Sequence, residues 1–241
     1  MAITSRPNSR LVLLPGMDGT GLLLEDFANA LPTSLRPQIV RYPPEVCSYR
    51  EVDRFLRSSG LDAEPFVLLG ESFSSVAAIA WAATNQPTLR GLVICVGFAT
   101  PPVRRWLRSI SSLLSHLLFA LPRPRFLTRH FTAGRNAPQP LVRQLETIRA
   151  TVPAETFAAR IRAILSCDAR KELGRVSVPI LFLHAEDDRL ISRDRLEEMR
   201  RIRPDAEVEI FPGSHMLLQR HAERAAERVA RFVGECVNVS E

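Results

Sequence analysis

Short apolar runs alternate with helix-spaced segments through the first hundred residues. LVLL (11–14) stops at Pro15-Gly16 and predicts a buried strand entering a loop. After the loop MDGTG, LLLEDFANAL spaces its apolar residues as a helix does. QIVRYP (38–43) predicts a second strand, REVDRFLRSSG (50–60) a helix closed by Gly60, and FVLLG (66–70) a third strand. An alanine-rich helix is expected over 73–87, stopped by Pro87, and LRGLVICVG (89–97) reads as a fourth strand. Runs that are continuously apolar belong to strands buried on both faces. Alternation of strand and helix gives a parallel sheet covered on both sides.

The rhythm breaks at residue 101. Trp106, Ile110, Leu113, Leu114, Leu117, Leu118 and Leu121 recur at helical spacing, PRPRF (122–126) interrupts, and helical patterns follow over 139–151 and 153–168. Then PILFLHAEDD (179–188) predicts a strand running into an acidic loop, 190–203 a helix, AEVEIFPG (206–213) a strand and 216–233 a closing helix. The expected organisation is an α/β core built from 1–100 and 173–241, with 101–172 inserted as a helical cap.

A chain of 241 residues buries roughly 70–75% of its unfolded surface, so its core needs no disulfide or metal. Cys47, Cys95, Cys167 and Cys236 are scattered, without a CxxC pair or zinc spacing, and read as reduced thiols. LVLL is too short for the apolar core of a signal peptide, and no window approaches a membrane span; the expectation is a cytoplasmic protein. The net charge of +6 is unevenly placed: residues 101–169 hold eleven arginines against Glu146, Glu155 and Asp168. No nucleic-acid-binding motif accompanies that charge.

Three polar residues each follow a predicted strand: Ser72, Asp188 and His215. In open α/β sheets the carboxyl ends of the strands form one ligand-binding edge, which would gather all three. A serine hydroxyl is a weak nucleophile at neutral pH and needs a base, itself oriented by a carboxylate. FVLLGESFSS (66–75) has the strand-turn-helix context of Gly-x-Ser-x-Gly, but Ser74 stands where the closing glycine would be. Serine there is tolerated if the backbone is helical and strained if φ is positive. A bare Gly-x-Ser also fits a serine that only caps a helix.

LLPGMDGTG (13–21), GESFSS (70–75), HAEDDRLIS (184–192) and PGSHMLLQ (212–219) resemble the α/β-hydrolase superfamily over nearly the full chain, in the family order Ser, Asp, His. The resemblance implies an α/β-hydrolase fold: a mostly parallel central sheet flanked by helices, with a helical cap. It implies Ser72 as nucleophile, His215 as base and acid, and backbone N–H groups of Met17 and Phe73 as the oxyanion hole. The family's Gly-x-x-Asp-x-x-Val loop, aligned on AEDDRLI, selects Asp188 over Asp187, with Ala185 and Ile191 replacing the glycine and valine.

His184, His116, His130 and His221 read as structural, and no pair has metal spacing. MDGTG lacks the Gly-Lys-Ser/Thr of a phosphate-binding loop, so neither cofactor nor metal is expected. The implied activity is hydrolysis of a carboxylic ester or thioester. Acyl transfer uses the same groups, and a binding protein can retain them. A peptidase or carbon–carbon hydrolase stays open; a dehalogenase would need aspartate at position 72. The cap's apolar face would roof a pocket for an acyl chain. Its arginines would suit an acidic acyl-carrier protein or an acyl-coenzyme A, unless they form a plain solvated surface or meet an anionic membrane.

Overall fold

The computed structural model describes residues 9–103, 134 and 137–238. Six strands form one parallel sheet: β1 (Ser9–Leu14), β2 (Leu35–Ile39), β3 (Phe66–Glu71), β4 (Leu89–Cys95), β5 (Ile180–Ala185) and β6 (Glu207–Phe211), in the order β2-β1-β3-β4-β5-β6. The helices are α1 (Glu25–Ala30), α2 (Tyr49–Ser58), α3 (Ser74–Ala82), α4 (Gln139–Thr151), α5 (Ala154–Ser166), α6 (Arg170–Leu173), α7 (Arg193–Ile202), α8 (Leu217–Arg220) and α9 (Ala222–Asn238). A single 3-10 turn, Leu22–Leu24, precedes α1.

Successive strand residues point to opposite faces. Val12, Leu68, Ile94 and Phe182 join one apolar layer with α2, α3 and α7, while Leu13, Leu69, Val93 and Leu183 join another with α1 and α9. This double burial is why FVLLG of β3, ILFL of β5 and most of β1 and β4 are unbroken apolar runs. Helix α3 lies against the sheet with almost every residue buried, which explains its small, uncharged sequence. Helix α2 is amphipathic and starts on a capping box: Ser48 Oγ accepts from Glu51 N–H at 3.3 Å, and the Glu51 carboxylate accepts from Ser48 N–H at 2.8 Å.

Three boundaries differ from expectation. The second strand is Leu35–Ile39, not 38–43: it is an edge strand whose middle residues face water, and Pro37 is tolerated there. The apolar Val40 and Tyr42 that suggested a later start are buried in the loop that follows. The closing helix is broken between α8 and α9 at His221, whose backbone leaves the helical region (φ −130°). The helix expected over 73–87 stops at Ala82, five residues short of Pro87.

Of the expected insertion, α4 and α5 belong to the described residues; the stretch from Trp106 to Leu121, for which a helix is expected, lies outside them. Leu141 and Ile148 of α4 pack with Leu23 and Met216, which lie past the ends of β1 and β6.

The chain passes from β1 to β2 on one side and from β2 crosses back to β3 on the other side of β1. That reversal puts the switch point of the sheet between the carboxyl ends of β1 and β3, the usual ligand position in such sheets. Close packing there depends on Gly70. A Cβ at this position would lie 2.7 Å from Ala78 Cβ and 2.9 Å from the Ser74 carbonyl oxygen, and the latter is backbone that cannot rotate away. Gly70→Ala is therefore expected to destabilise the fold by about 1–3 kcal/mol. Urea unfolding checks it: the midpoint should fall with the slope unchanged.

Candidate active site

The turn from β3 into α3 holds Ser72 at φ 49°, in the left-handed region that side chains rarely adopt. Such a residue costs on the order of 1–3 kcal/mol and persists only where its surroundings dictate it. Here Ser72 N–H donates to Cys95 O at 2.9 Å, while Ser72 O accepts from Ser75 N–H at 3.0 Å and Ser75 Oγ at 2.6 Å. The hydroxyl is thus raised from the sheet edge between strand and helix.

His215 arrives on the loop after β6 and Asp188 on the loop after β5. The two loops are joined through their backbones, Asp187 N–H donating to Gly213 O at 2.8 Å and Glu186 N–H to Phe211 O at 2.9 Å. His215 Nε2 lies 2.9 Å from Ser72 Oγ, and His215 Nδ1 lies 2.7 Å from Asp188 Oδ2. Asp188 Oδ1 accepts from Leu190 N–H and Ile191 N–H, both at 2.9 Å, so every partner of this carboxylate is a donor. Its side chain is fully buried. The carboxylate accepts from Nδ1–H, which leaves the Nε2 lone pair to accept from the serine hydroxyl.

Burial alone would raise the Asp188 pKa; the His215 charge and the three hydrogen bonds outweigh it and hold the group below the usual carboxylate range. Burial alone would lower the His215 pKa; the Asp188 charge and hydrogen bond, with a smaller contribution from Glu71, bring it above its ordinary value.

The loop after β1 forms the other wall. Ser74, the residue in place of the closing glycine, begins α3 with helical backbone and shows no positive φ. Its buried hydroxyl donates to Pro15 O and lies 2.9 Å from Tyr42 Oη, so it ties this loop to the turn at Ser72. Glu71, buried beside Ser72, accepts from Gly16 N–H and from Gln219 Nε2 at 2.9 Å; burial raises its pKa despite those donors. Neither Met17 N–H nor Phe73 N–H has an acceptor among the described residues. Also among those residues, no group of three or more His, Cys, Asp or Glu side chains is placed to hold a metal ion.

A model of the alpha/beta hydrolase family matches residues 10–231. The chain belongs to the alpha/beta hydrolase family. A proline iminopeptidase of Elizabethkingia meningoseptica is 20% identical over 208 residues, covering 76% of this chain and 70% of that protein. Among solved structures, a hydrolase from Oleispira antarctica superposes with a TM-score of 0.82 at 14% identity, covering 94% of this chain and 91% of that one. An esterase from Exiguobacterium antarcticum gives 0.77 at 15% identity, with 94% and 92% covered. Both structures share the alpha/beta hydrolase fold with this chain.

The structure brings Ser72, His215 and Asp188 into one hydrogen-bonded chain, with the loops of Met17 and Phe73 beside it. Asp187 is exposed and points its amide at Gly213. His184 is buried within β5, and burial lowers its pKa. His221 Nε2 donates to Pro212 O at 2.8 Å. His116 and His130 lie outside the described residues. No two cysteines are joined, and Cys95 is core. No helix among the described residues is long and apolar enough to cross a membrane.

Sequence reasoning missed Glu71, Gln219 and Arg160. Arg160, one of the eleven arginines, contributes nothing to a cationic surface: it is fully buried. A signal was present, because it lies three residues after Phe157 and four before Ile164, inside the apolar stripe of its helix.

Proposed function

We propose that the protein is a serine hydrolase of carboxylic esters or thioesters, working through an acyl-enzyme on Ser72. The observation that carries this reading is the hydrogen-bonded chain from a strained, half-exposed serine through a buried imidazole to a buried carboxylate. Ser72 Oγ attacks the acyl carbonyl while His215 Nε2 takes its proton. Asp188 stabilises the imidazolium, and the N–H groups of Met17 and Phe73 receive the negative charge on the carbonyl oxygen. His215 then returns the proton to the leaving alkoxide or thiolate. Water, deprotonated by the same imidazole, releases the acid. Family membership and an esterase among the structural relatives agree with this chemistry.

Residues 101–172 are proposed to act as the cap, with the insertion roofing an acyl chain and its surface arginines available to a carrier-bound thioester. Labelling with a fluorophosphonate, followed by peptide mass spectrometry, tests the chemistry. The expected result is one phosphonylated peptide, modified at Ser72, together with multiple turnovers on p-nitrophenyl butyrate. Folded protein that neither labels nor turns over would remove the proposal. Parallel assays on butyryl esters, butyryl-coenzyme A and acyl-carrier thioesters would assign the leaving group.

A further inference from the structure

Arg160 is a buried guanidinium with no carboxylate in ion-pairing distance among the described residues. Burying an unpaired charge is costly unless its donors are all engaged. Here the acceptors are three backbone carbonyls: Val46 O takes Nε at 3.0 Å and Nη2 at 2.8 Å, Pro43 O takes Nη2 at 3.3 Å, and Met17 O takes Nη1 at 2.9 Å. The rings of Tyr42 and Phe73 each lie with centroids 5.9 Å from the guanidinium carbon. The side chain comes from α5, more than a hundred residues away in sequence from the loops it binds. Gly19 makes room for it: with φ 73°, a Cβ there would stand 2.5 Å from Nη1.

The polar groups of the loop after β1 can be followed one at a time. Pro15 O accepts from Ser74 Oγ, Gly16 N–H goes to Glu71, Gly16 O accepts from Gly19 N–H at 3.1 Å, and Gly19 O accepts from Tyr42 N–H at 2.8 Å. Met17 O is held by Arg160. Met17 N–H has no acceptor among the described residues, a state it shares in this loop with Asp18 N–H and Gly21 N–H. A trans peptide points its C=O and N–H in opposite directions. Gly16 O is turned inward to Gly19, so Met17 N–H, in the same peptide plane, faces out of the turn. The peptide plane that follows is fixed by Arg160. Both planes flanking the Met17 Cα are thereby anchored.

We propose that Arg160 is a positioning residue for acyl transfer: by holding Met17 O it fixes the aim of Met17 N–H before substrate arrives. The proposal rests on the serine-hydrolase reading above. A hydrogen-bond donor acts on a developing oxyanion only if it is already in place, since reorientation during the reaction would cost what the bond returns. A loosened Met17 should therefore impair turnover and leave ground-state binding alone.

The full chain carrying Arg160→Met or Arg160→Lys is compared with the parent on p-nitrophenyl butyrate. Active sites are counted by titration to completion with a fluorophosphonate, and kcat is expressed per titrated site. Loss of one oxyanion donor is worth about 10²- to 10³-fold, so Arg160→Met is expected to lose about 10²-fold in kcat with KM changed less than about threefold. Lysine keeps the charge but cannot bridge three carbonyls, and should lose about tenfold. A purely structural arginine would lower the number of titratable sites and the melting temperature while kcat per site stayed at the parent value. Either variant with kcat per site within threefold of the parent overturns the proposal, as does a rise in KM at constant kcat. If Arg160→Met yields no titratable protein, Arg160→Lys decides; if neither does, the arginine belongs to folding and the proposal fails. A parent that shows no labelling and no turnover would instead sink the hydrolase reading.

Discussion

Ser72→Ala is expected to lower kcat on an activated ester by about 10⁴- to 10⁶-fold, with His215→Ala falling by a similar factor. On the proposed mechanism the two groups act as one device. Without the imidazole the hydroxyl keeps its proton; without the hydroxyl the imidazole has nothing to deprotonate. The effects should not add, so the double variant should be no slower than the slower single variant. Ser72→Ala leaves the contacts of the fold in place, whereas His215→Ala takes one partner from the buried Asp188 and should lower the melting temperature. Ser72 is held in its turn by backbone bonds through Cys95 and Ser75, which alanine retains, and His215 sits on a loop that is tied through Gly213. On the proposed mechanism KM should change little, because neither group holds the acyl chain or the leaving group in the ground state. Steady-state kinetics with matched melting curves would check this, and Ser72→Ala protein that kept more than a few per cent of parental turnover would rule Ser72 out as the nucleophile.

Asp188→Asn is expected to cost about 10⁴-fold in kcat, and the reason is a tautomer. Asp188 Oδ1 accepts from two backbone amides, Leu190 and Ile191. An asparagine that keeps those bonds must aim its oxygen at them and its NH₂ at His215 Nδ1. The imidazole then carries its proton on Nε2, where it can no longer accept one from Ser72. The same change should appear in the pH profile. In the parent, the Asp188 charge, aided by Glu71, raises the His215 pKa against the pull of burial. In the proposed mechanism only neutral imidazole works as the base. Activity is therefore expected to be lost as pH falls through a value above the ordinary histidine pKa of about 6.5. Removing the Asp188 charge leaves burial less opposed, so the acid limb of kcat/KM should move to lower pH in Asp188→Asn. A limb that stayed fixed, or moved upward, would show that the carboxylate does not govern this imidazole.

The sheet was legible in the sequence wherever both faces of a strand are buried, as in LVLL, FVLLG and LFLH, because double burial removes the polar residues that blur the pattern. It was poorly legible at the edge, where Arg36, Pro37 and Gln38 of β2 face water and only backbone pairing marks the strand. Ser72, Asp188 and His215 could be nominated because each follows a strand, and a parallel sheet sends all such positions to one edge. Their distances could not, since the bonds span 27 and 143 residues. Ser74 illustrates a subtler limit. Its departure from glycine was plain, and its helical backbone was one of two stated alternatives. Its hydroxyl bond to Pro15 depends on a loop brought close only by folding. Arg160 was hidden for the opposite reason: among ten other arginines, the one that turns inward looks the same on paper.

The three carbonyls beneath Arg160 bear on how this molecule could be re-engineered. Exchanging the residues between β4 and β5 for those of a relative is an obvious route to a new substrate range. In this chain the exchange would remove a donor set from under Met17, Pro43 and Val46 and strand one buried acceptor, Val46 O, at a cost of roughly 1–3 kcal/mol, and two part-buried ones, Met17 O and Pro43 O, at less. The helices between β4 and β5 are thus not an interchangeable part. A graft would have to bring its own guanidinium to the same spot, or the recipient loops would have to be rewritten with it.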